Sequence, residues 1–204
     1  MSTIAVGHDQ PLDVLFSLEG QALPLDHAQA LQAALCHLFP WLHTDAVAAV
    51  LPLKLVAGDA GQSLVSKRSK LIMRVQQSRL PDMVAVNGVE LSVAGCKLRL
   101  VDPHPRELQP HATLYAYKVA SAGDGETAFM EAVNRDLAQL AIRGERVCGK
   151  RGQMTVSGQL MDTYSLMLHA LPPDQSLRLQ QFGLGKHRLL GCGVFVPHKS
   201  AAAV

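Results

Sequence analysis

The chain has 204 residues, of which 48% are hydrophobic and 18% charged, with a formal net charge of +2. That profile belongs to a folded chain with one sizeable core or two small ones, and it excludes a disordered polyelectrolyte. No apolar run reaches bilayer-crossing length, and residues 1–30 lack the basic, apolar and small-residue order of a secretion signal, so the cytoplasm is the expected compartment.

The charge is segregated. Residues 1–60 carry one basic side chain, Lys54, against six acidic ones; residues 61–120 carry nine against four, and from 143 onward the ratio is eight to three. Basic groups gathered in this way can neutralise a phosphate backbone, although solvated surfaces show similar blocks. Cys36, Cys96, Cys148 and Cys192 form no CxxC pair and sit among apolar or glycine neighbours, which fits small core residues. Nine histidines include no HExxH and no close Cys/His group, so neither a metal nor another cofactor is expected.

In chain order, residues 12–23 alternate at Val14, Phe16 and Leu18 and predict a strand. Ala28, Leu31, Leu35 and Leu38 predict a helix over 25–39, with Pro24 and Asp26 at its first turn and Pro40 at its end. Residues 46–57 read as extended. In 66–75 a basic lead, SKRSK, enters Leu71, Met73 and Val75 on alternate positions. A short helix is expected over 79–86; Asn87-Gly88 then turns the chain into a hairpin-like stretch with Gly95 near its tip. Residues 102–111 hold three prolines and form the expected boundary between domains 1–108 and 109–204.

Beyond that boundary the pattern predicts a strand over 113–121 and a helix over 125–140. Residues 145–158 read as a strand pair or a strand with a glycine-rich turn, and 163–171 as a further strand. A helix from 172 to Phe182 and a terminal strand over 192–196 complete the chain. Strand, helix, strand, strand, helix, strand is thus written twice. The expectation is an α+β fold of tandem ferredoxin-like (RRM-like) βαββαβ domains, without a residue-level repeat.

The segment GLGKHRLLGCGVFVPHK at 183–199 is the most informative. Gly183, Gly185, Gly191 and Gly193 permit tight turns, while Lys186, His187, Arg188 and Lys199 suit phosphate oxygens. It matches neither a mononucleotide P-loop nor a dinucleotide GxGxxG fingerprint, and reads as either an RNA-positioning loop or a structural turn. His27, in the first turn of the first helix, is either a proton-transfer group or an exposed, locally capped residue. Cutting RNA without a metal needs a base for the ribose 2'-hydroxyl, an acid for the leaving 5'-oxygen and cations around the phosphorane.

His111 and His187 are further RNA-contact candidates, whereas His169, His37 and His43 read as packing or surface residues. Lys67, Arg68 and Lys70, continued by Arg74, form one basic patch; Arg143, Arg146, Lys150 and Arg151 form another. Aromatic content is 4%, and Tyr115 and Tyr117 share one side of a strand without an RNP motif. Recognition of a hairpin by shape and phosphate is therefore expected over base stacking.

LPLDHAQALQAAL at 23–35, RSKLIMRV at 68–75, PHATLYAYKV at 110–119, YSLMLHAL at 164–171 and the glycine-rich segment span most of the chain. In that order they resemble the repeat-processing endoribonucleases of CRISPR systems, the sixth CRISPR-associated protein family, in its Myxan-type branch. The resemblance implies tandem ferredoxin-like domains that bind precursor and mature CRISPR RNA. It also implies metal-independent cutting beside a repeat hairpin, with a 5'-hydroxyl and a cyclic or 3'-phosphate as products. A histidine of the first helix often acts in that family, which carries over to His27, with Lys70, Ser66, Lys67, Arg68 and His111 as supporting candidates. Some relatives are poor nucleases, so the alternatives are a noncatalytic guide-RNA-binding subunit or a structural subunit of a CRISPR effector or transposition-linked complex.

Overall fold

A computed structural model describes residues 9–59, 61–121, 123 and 125–198. In chain order the elements are β1 (Pro11–Glu19), β2 (Ala22–Pro24), α1 (Ala28–Leu38), β3 (Ala49–Val50), β4 (Val56–Ala57), β5 (Gln62–Leu64), β6 (Lys70–Gln76), α2 (Leu80–Ala85), β7 (Glu90–Val93) and β8 (Cys96–Glu107). They continue as β9 (Leu114–Ala120), α3 (Gly125–Gln139), β10 (Glu145–Val156), β11 (Gln159–His169), α4 (Pro173–Phe182) and β12 (Val196–Pro197). No described helix is long and apolar enough to cross a membrane.

Two antiparallel sheets carry the expected plan. The first has the order β3-β6-β1-β8-β7 and the second β10-β11-β9-β12. In each, the first and third strands of a βαββαβ unit pair at the centre and the second and fourth flank them, which is the ferredoxin-like arrangement. A third, small sheet, β2-β5-β4, lies outside that plan.

Alternation builds each core. Val14, Phe16 and Leu18 of β1 join Leu71, Met73 and Val75 of β6 and pack against Leu31 and Leu35 of α1 and Met83 of α2. Leu114 and Ala116 of β9 and Leu166 and Leu168 of β11 face Phe129, Val133 and Leu137 of α3 and Leu179 of α4. Phe129 stacks on Tyr164 with ring centroids 4.6 Å apart. Each buried aliphatic or aromatic side chain contributes roughly 1.5–3 kcal/mol of transfer free energy, so both halves own a core rather than sharing one.

Several boundaries differ from the sequence expectation. The first helix starts at Ala28, not Leu25, because Pro24 ends β2, which pairs with β5 through Pro24 and Gln62. Only Ala49–Val50 and Val56–Ala57 of the 46–57 segment are strand. The proline-rich stretch is half strand: β8 runs through Pro103 and Pro105 to Glu107, paired with β1. On its other side the pairing with β7 reaches only as far as Arg99, so the prolines sit where one edge is open and a missing N–H costs little. The last strand lies at Val196–Pro197 rather than over 192–196.

The two halves meet through buried groups. Ala49 and Leu51 pack on Val194, with Ile72 and Val196 against them. Arg74, on the face of β6 away from its helices, is 1% exposed. Its Nε donates to Asp13 at 2.8 Å, and its Nη1 donates to the carbonyls of Gln180 and Phe195 at 2.7 and 3.1 Å. The guanidinium thus ties the first sheet to the end of α4 and the approach to β12.

Candidate nucleic-acid interface

Helix starts favour Ser, Thr, Asp or Asn, whose side chains cap the first free amides. Here His27 is the N-cap of α1 and makes no side-chain cap bond. Its Nδ1 instead lies 2.8 Å from the Pro24 carbonyl. A carbonyl only accepts, so Nδ1 carries the proton and Nε2 is left as the atom that gives or takes one. The half-buried ring lines a narrow crevice with Pro52 and Leu53 of the first half and Leu189, Leu190 and Gly191 of the second.

The glycine-rich loop is fixed to the second sheet by main-chain contacts. Tyr164 faces Val119 and Leu166 faces Ala116, so β9 bulges at Tyr117 and Lys118. The Lys118 carbonyl accepts from the Gly193 N–H at 2.7 Å, and the Gly193 carbonyl accepts from Leu184 at 3.1 Å. A Cβ on Gly193 would lie 1.8 Å from the Leu184 oxygen, and one on Gly183 would lie 2.2 Å from the Gly193 oxygen. Backbone pressed on backbone demands glycine at these two positions. Beyond the loop, Leu190 and Cys192 pack on Met154, with Ala28, Val156 and Met161 against them, so the start of α1, the end of the β10–β11 hairpin and the loop converge.

Two expected phosphate contacts are corrected. Arg74 is sealed into the junction and has no route to RNA. Arg188 is also buried, at 9% exposure, and donates to the carbonyls of Ala46 and Gln181 at 3.2 and 2.8 Å. Burial, with Arg74 nearby, pulls its pKa down to about 10. Both guanidiniums hold the two halves together at the end of α4.

The other candidates are spread more widely. Lys67 and Arg68 are exposed on a turn whose conformation Ser66 helps to set: the Ser66 Oγ accepts from the Arg68 N–H at 3.3 Å and contacts the Ser69 Oγ. Lys70 donates from Nζ to the Ser17 Oγ at 2.6 Å. Neither Ser66 nor Lys70 lines the His27 crevice. Lys186 and Gly185 are exposed, and His187 is half-buried. His111 is exposed between the halves, its backbone N–H donating to the Ser176 Oγ. Arg143, Arg146, Lys150 and Arg151 are exposed along β10 and its approach, so the second patch is a stripe rather than a cluster. Lys199 lies outside the described residues.

Composition gave no reason to select Asp162 and Gln153. Asp162 accepts from Arg151 and, at 3.1 Å, from Gln153, and these bonds hold its carboxyl below the usual range. Cys36 and Cys192 are buried and Cys96 and Cys148 half-buried, all four free. Among the described residues no three His, Cys, Asp or Glu side chains are grouped to hold a metal.

A protein-family model described as Cas6 (Cas6 Crispr) matches residues 12–200. The CRISPR-associated endonuclease Cas6 of Myxococcus xanthus (strain DK1622) is 31% identical over 194 residues, covering 95% of this chain and 84% of its own length. Among solved structures, a CRISPR associated protein Cas6 superposes with TM-score 0.70 at 11% identity, covering 93% of this chain and 100% of the other. A Cas6-related protein from Pyrococcus furiosus gives 0.58 at 9%, with 91% and 98% covered. Thermus thermophilus Cse3, solved bound to an RNA representing a pre-cleavage complex, gives 0.52 at 14%, with 92% and 98% covered. The resemblance carried by the sequence motifs and the duplicated fold therefore agree with these matches, and the chain belongs to the Cas6 family.

Proposed function

We propose that the chain is an endoribonuclease that cuts precursor CRISPR RNA within its repeats, reading sequence and hairpin shape, by metal-independent attack of the ribose 2'-hydroxyl. The observation that carries this is His27: it sits where a capping side chain belongs, forgoes the cap, and is pinned by Pro24 so that Nε2 remains for proton transfer. Giving up an N-cap costs about 1 kcal/mol, so helix stability does not explain the residue.

In the reaction the 2'-oxygen attacks the adjoining phosphorus while the 5'-oxygen leaves with a proton, giving a cyclic phosphate and a 5'-hydroxyl. Neutral His27 takes the 2'-hydroxyl proton, or protonated His27 supplies the leaving group's proton; the same Nε2 serves either role. The free amides at the start of α1 add positive potential beside it. Exposed Lys67, Arg68 and Lys186, with the β10 stripe, supply phosphate contacts along the RNA. Ser66 is committed to its turn and Lys70 to Ser17, which leaves proton transfer with His27 rather than with either of them.

The test is cleavage of the repeat RNA encoded beside the gene, with chelator in excess. A discrete cut is expected, and His27→Ala should slow it by roughly 10²–10⁴-fold while leaving repeat affinity intact. Unchanged cleavage by that variant would remove His27 from the mechanism. Tight binding by the wild type without any cut would identify a guide-RNA-binding subunit instead.

A further inference from the structure

Between residues 183 and 195, positive φ occurs at Gly183, Gly185, His187, Gly191 and Gly193. Four of these are the residue for which that region is free of cost, and one is not. His187 adopts φ 66° and ψ 36°, fully left-handed, and its carbonyl accepts from the N–H groups of Leu190 and Cys192. Glycine would form the same turn with less strain. Ala94, Asp102, Ala141, Ser157 and Ala170 also adopt positive φ, so it is the placement of the His187 side chain that points to its work.

The surroundings say what that work is. His187 lines an open cavity of about 630 Å³ with Ser121, Gln153, Leu160, Met161 and Asp162. Its lining shares no residue with that of the His27 crevice. The volume is in the range of small-ligand sites. Leu160 is 66% exposed at its wall, an apolar surface left open to solvent. Asp162 is tied to Arg151 and Gln153, and those bonds keep it an acceptor. A carboxylate on a phosphate-binding surface repels the backbone, but it accepts hydrogen bonds from the exocyclic amine of a base.

We infer that His187 is a binding residue for one unstacked nucleotide of the RNA, whose base lies against the imidazole and Leu160 with its amine-bearing edge toward Asp162 and Gln153. The inference rests on the RNA-processing function proposed above and adds a base-reading pocket to it. Cytosine, adenine and guanine each offer Asp162 an exocyclic amine; uracil offers only its ring N3–H between two carbonyl oxygens that the carboxylate repels, and is disfavoured.

His187→Gly separates strain from function, because glycine keeps the turn. Its Tm should equal or exceed that of the wild type, while affinity for the repeat RNA falls about tenfold, as expected for loss of one base-stacking contact. Repeats with single abasic sites, scanned along the sequence, should reveal one position at which the lesion weakens the wild type but adds nothing to His187→Gly. Restoring uracil there should recover less affinity than restoring cytosine. A variant that binds every repeat like the wild type overturns the inference, whether its Tm rises or falls. So does a scan in which every lesion acts equally on both proteins. In each of those cases the wild type still binds and cuts; a wild type that binds no repeat RNA overturns the proposed function as well.

Discussion

The two halves share one topology and use the bare face of their sheets differently. In the first, the face away from the helices carries Asp13 and Arg74, both sealed, with Arg74 bonded to carbonyls of the second half. In the second, the corresponding face of β9 carries Tyr115 and Tyr117 in edge contact, 5.0 Å apart, with Tyr117 46% exposed. Repeating a fold does not repeat its chemistry. The first half spends that face on holding its neighbour, whereas on β9 the second leaves Tyr117 open to solvent.

The sharpest way to break this comparison is to damage each core separately. Phe16→Ala and Phe129→Ala each remove a fully buried ring and should cost about 3–5 kcal/mol. If the junction couples the halves, either substitution shifts one common urea transition. Two resolved transitions, with only the damaged half shifted, would show that each half stands alone.

Arg74→Met tests the junction itself. It leaves Asp13, 3% exposed, with the half-exposed Arg106 as its one cationic partner among the described residues, and leaves the Gln180 and Phe195 carbonyls without their donor. A loss of about 3 kcal/mol is expected in denaturant titrations. Adding Asp13→Leu should recover part of it; no recovery would mean that the carbonyl contacts dominate.

A smaller effect follows from Cys192, which burial pushes from 9.0 up to about 11. The folded state holds the thiol proton more tightly than the unfolded chain does. This contribution is fully present below pH 9 and is lost as pH rises from there through about 11, by at most roughly 2–3 kcal/mol. Comparing denaturation midpoints at pH 8 and 10.5 should show a steeper fall for the wild type than for Cys192→Ala. Parallel slopes would place the thiol in contact with water.

Much of the scaffold was legible in the sequence because alternation and helical spacing are local. Val14, Phe16 and Leu18, or Leu71, Met73 and Val75, name their own buried face. What was not legible depends on partners distant in the chain. Arg74 follows Met73 on the face that a solitary sheet would expose, so it reads as a phosphate contact until the second half is seen to cover it. Arg188 misleads in the same way. Pro103 and Pro105 look like a linker unless it is known that the pairing with β7 stops at Arg99. In the candidate site, His27 and the glycine loop stand out by residue type, but the pairing of Asp162 with Arg151 and Gln153 depends on hairpin register, which composition does not reveal.

The bulge in β9 has an evolutionary consequence. The loop hangs from the Lys118 carbonyl through the Gly193 N–H, both main-chain atoms, while the Tyr117 and Lys118 side chains remain exposed. Any amino acid at 118 supplies the same hook. The outward chemistry of this ridge can therefore drift while the attachment beneath it is inherited unchanged.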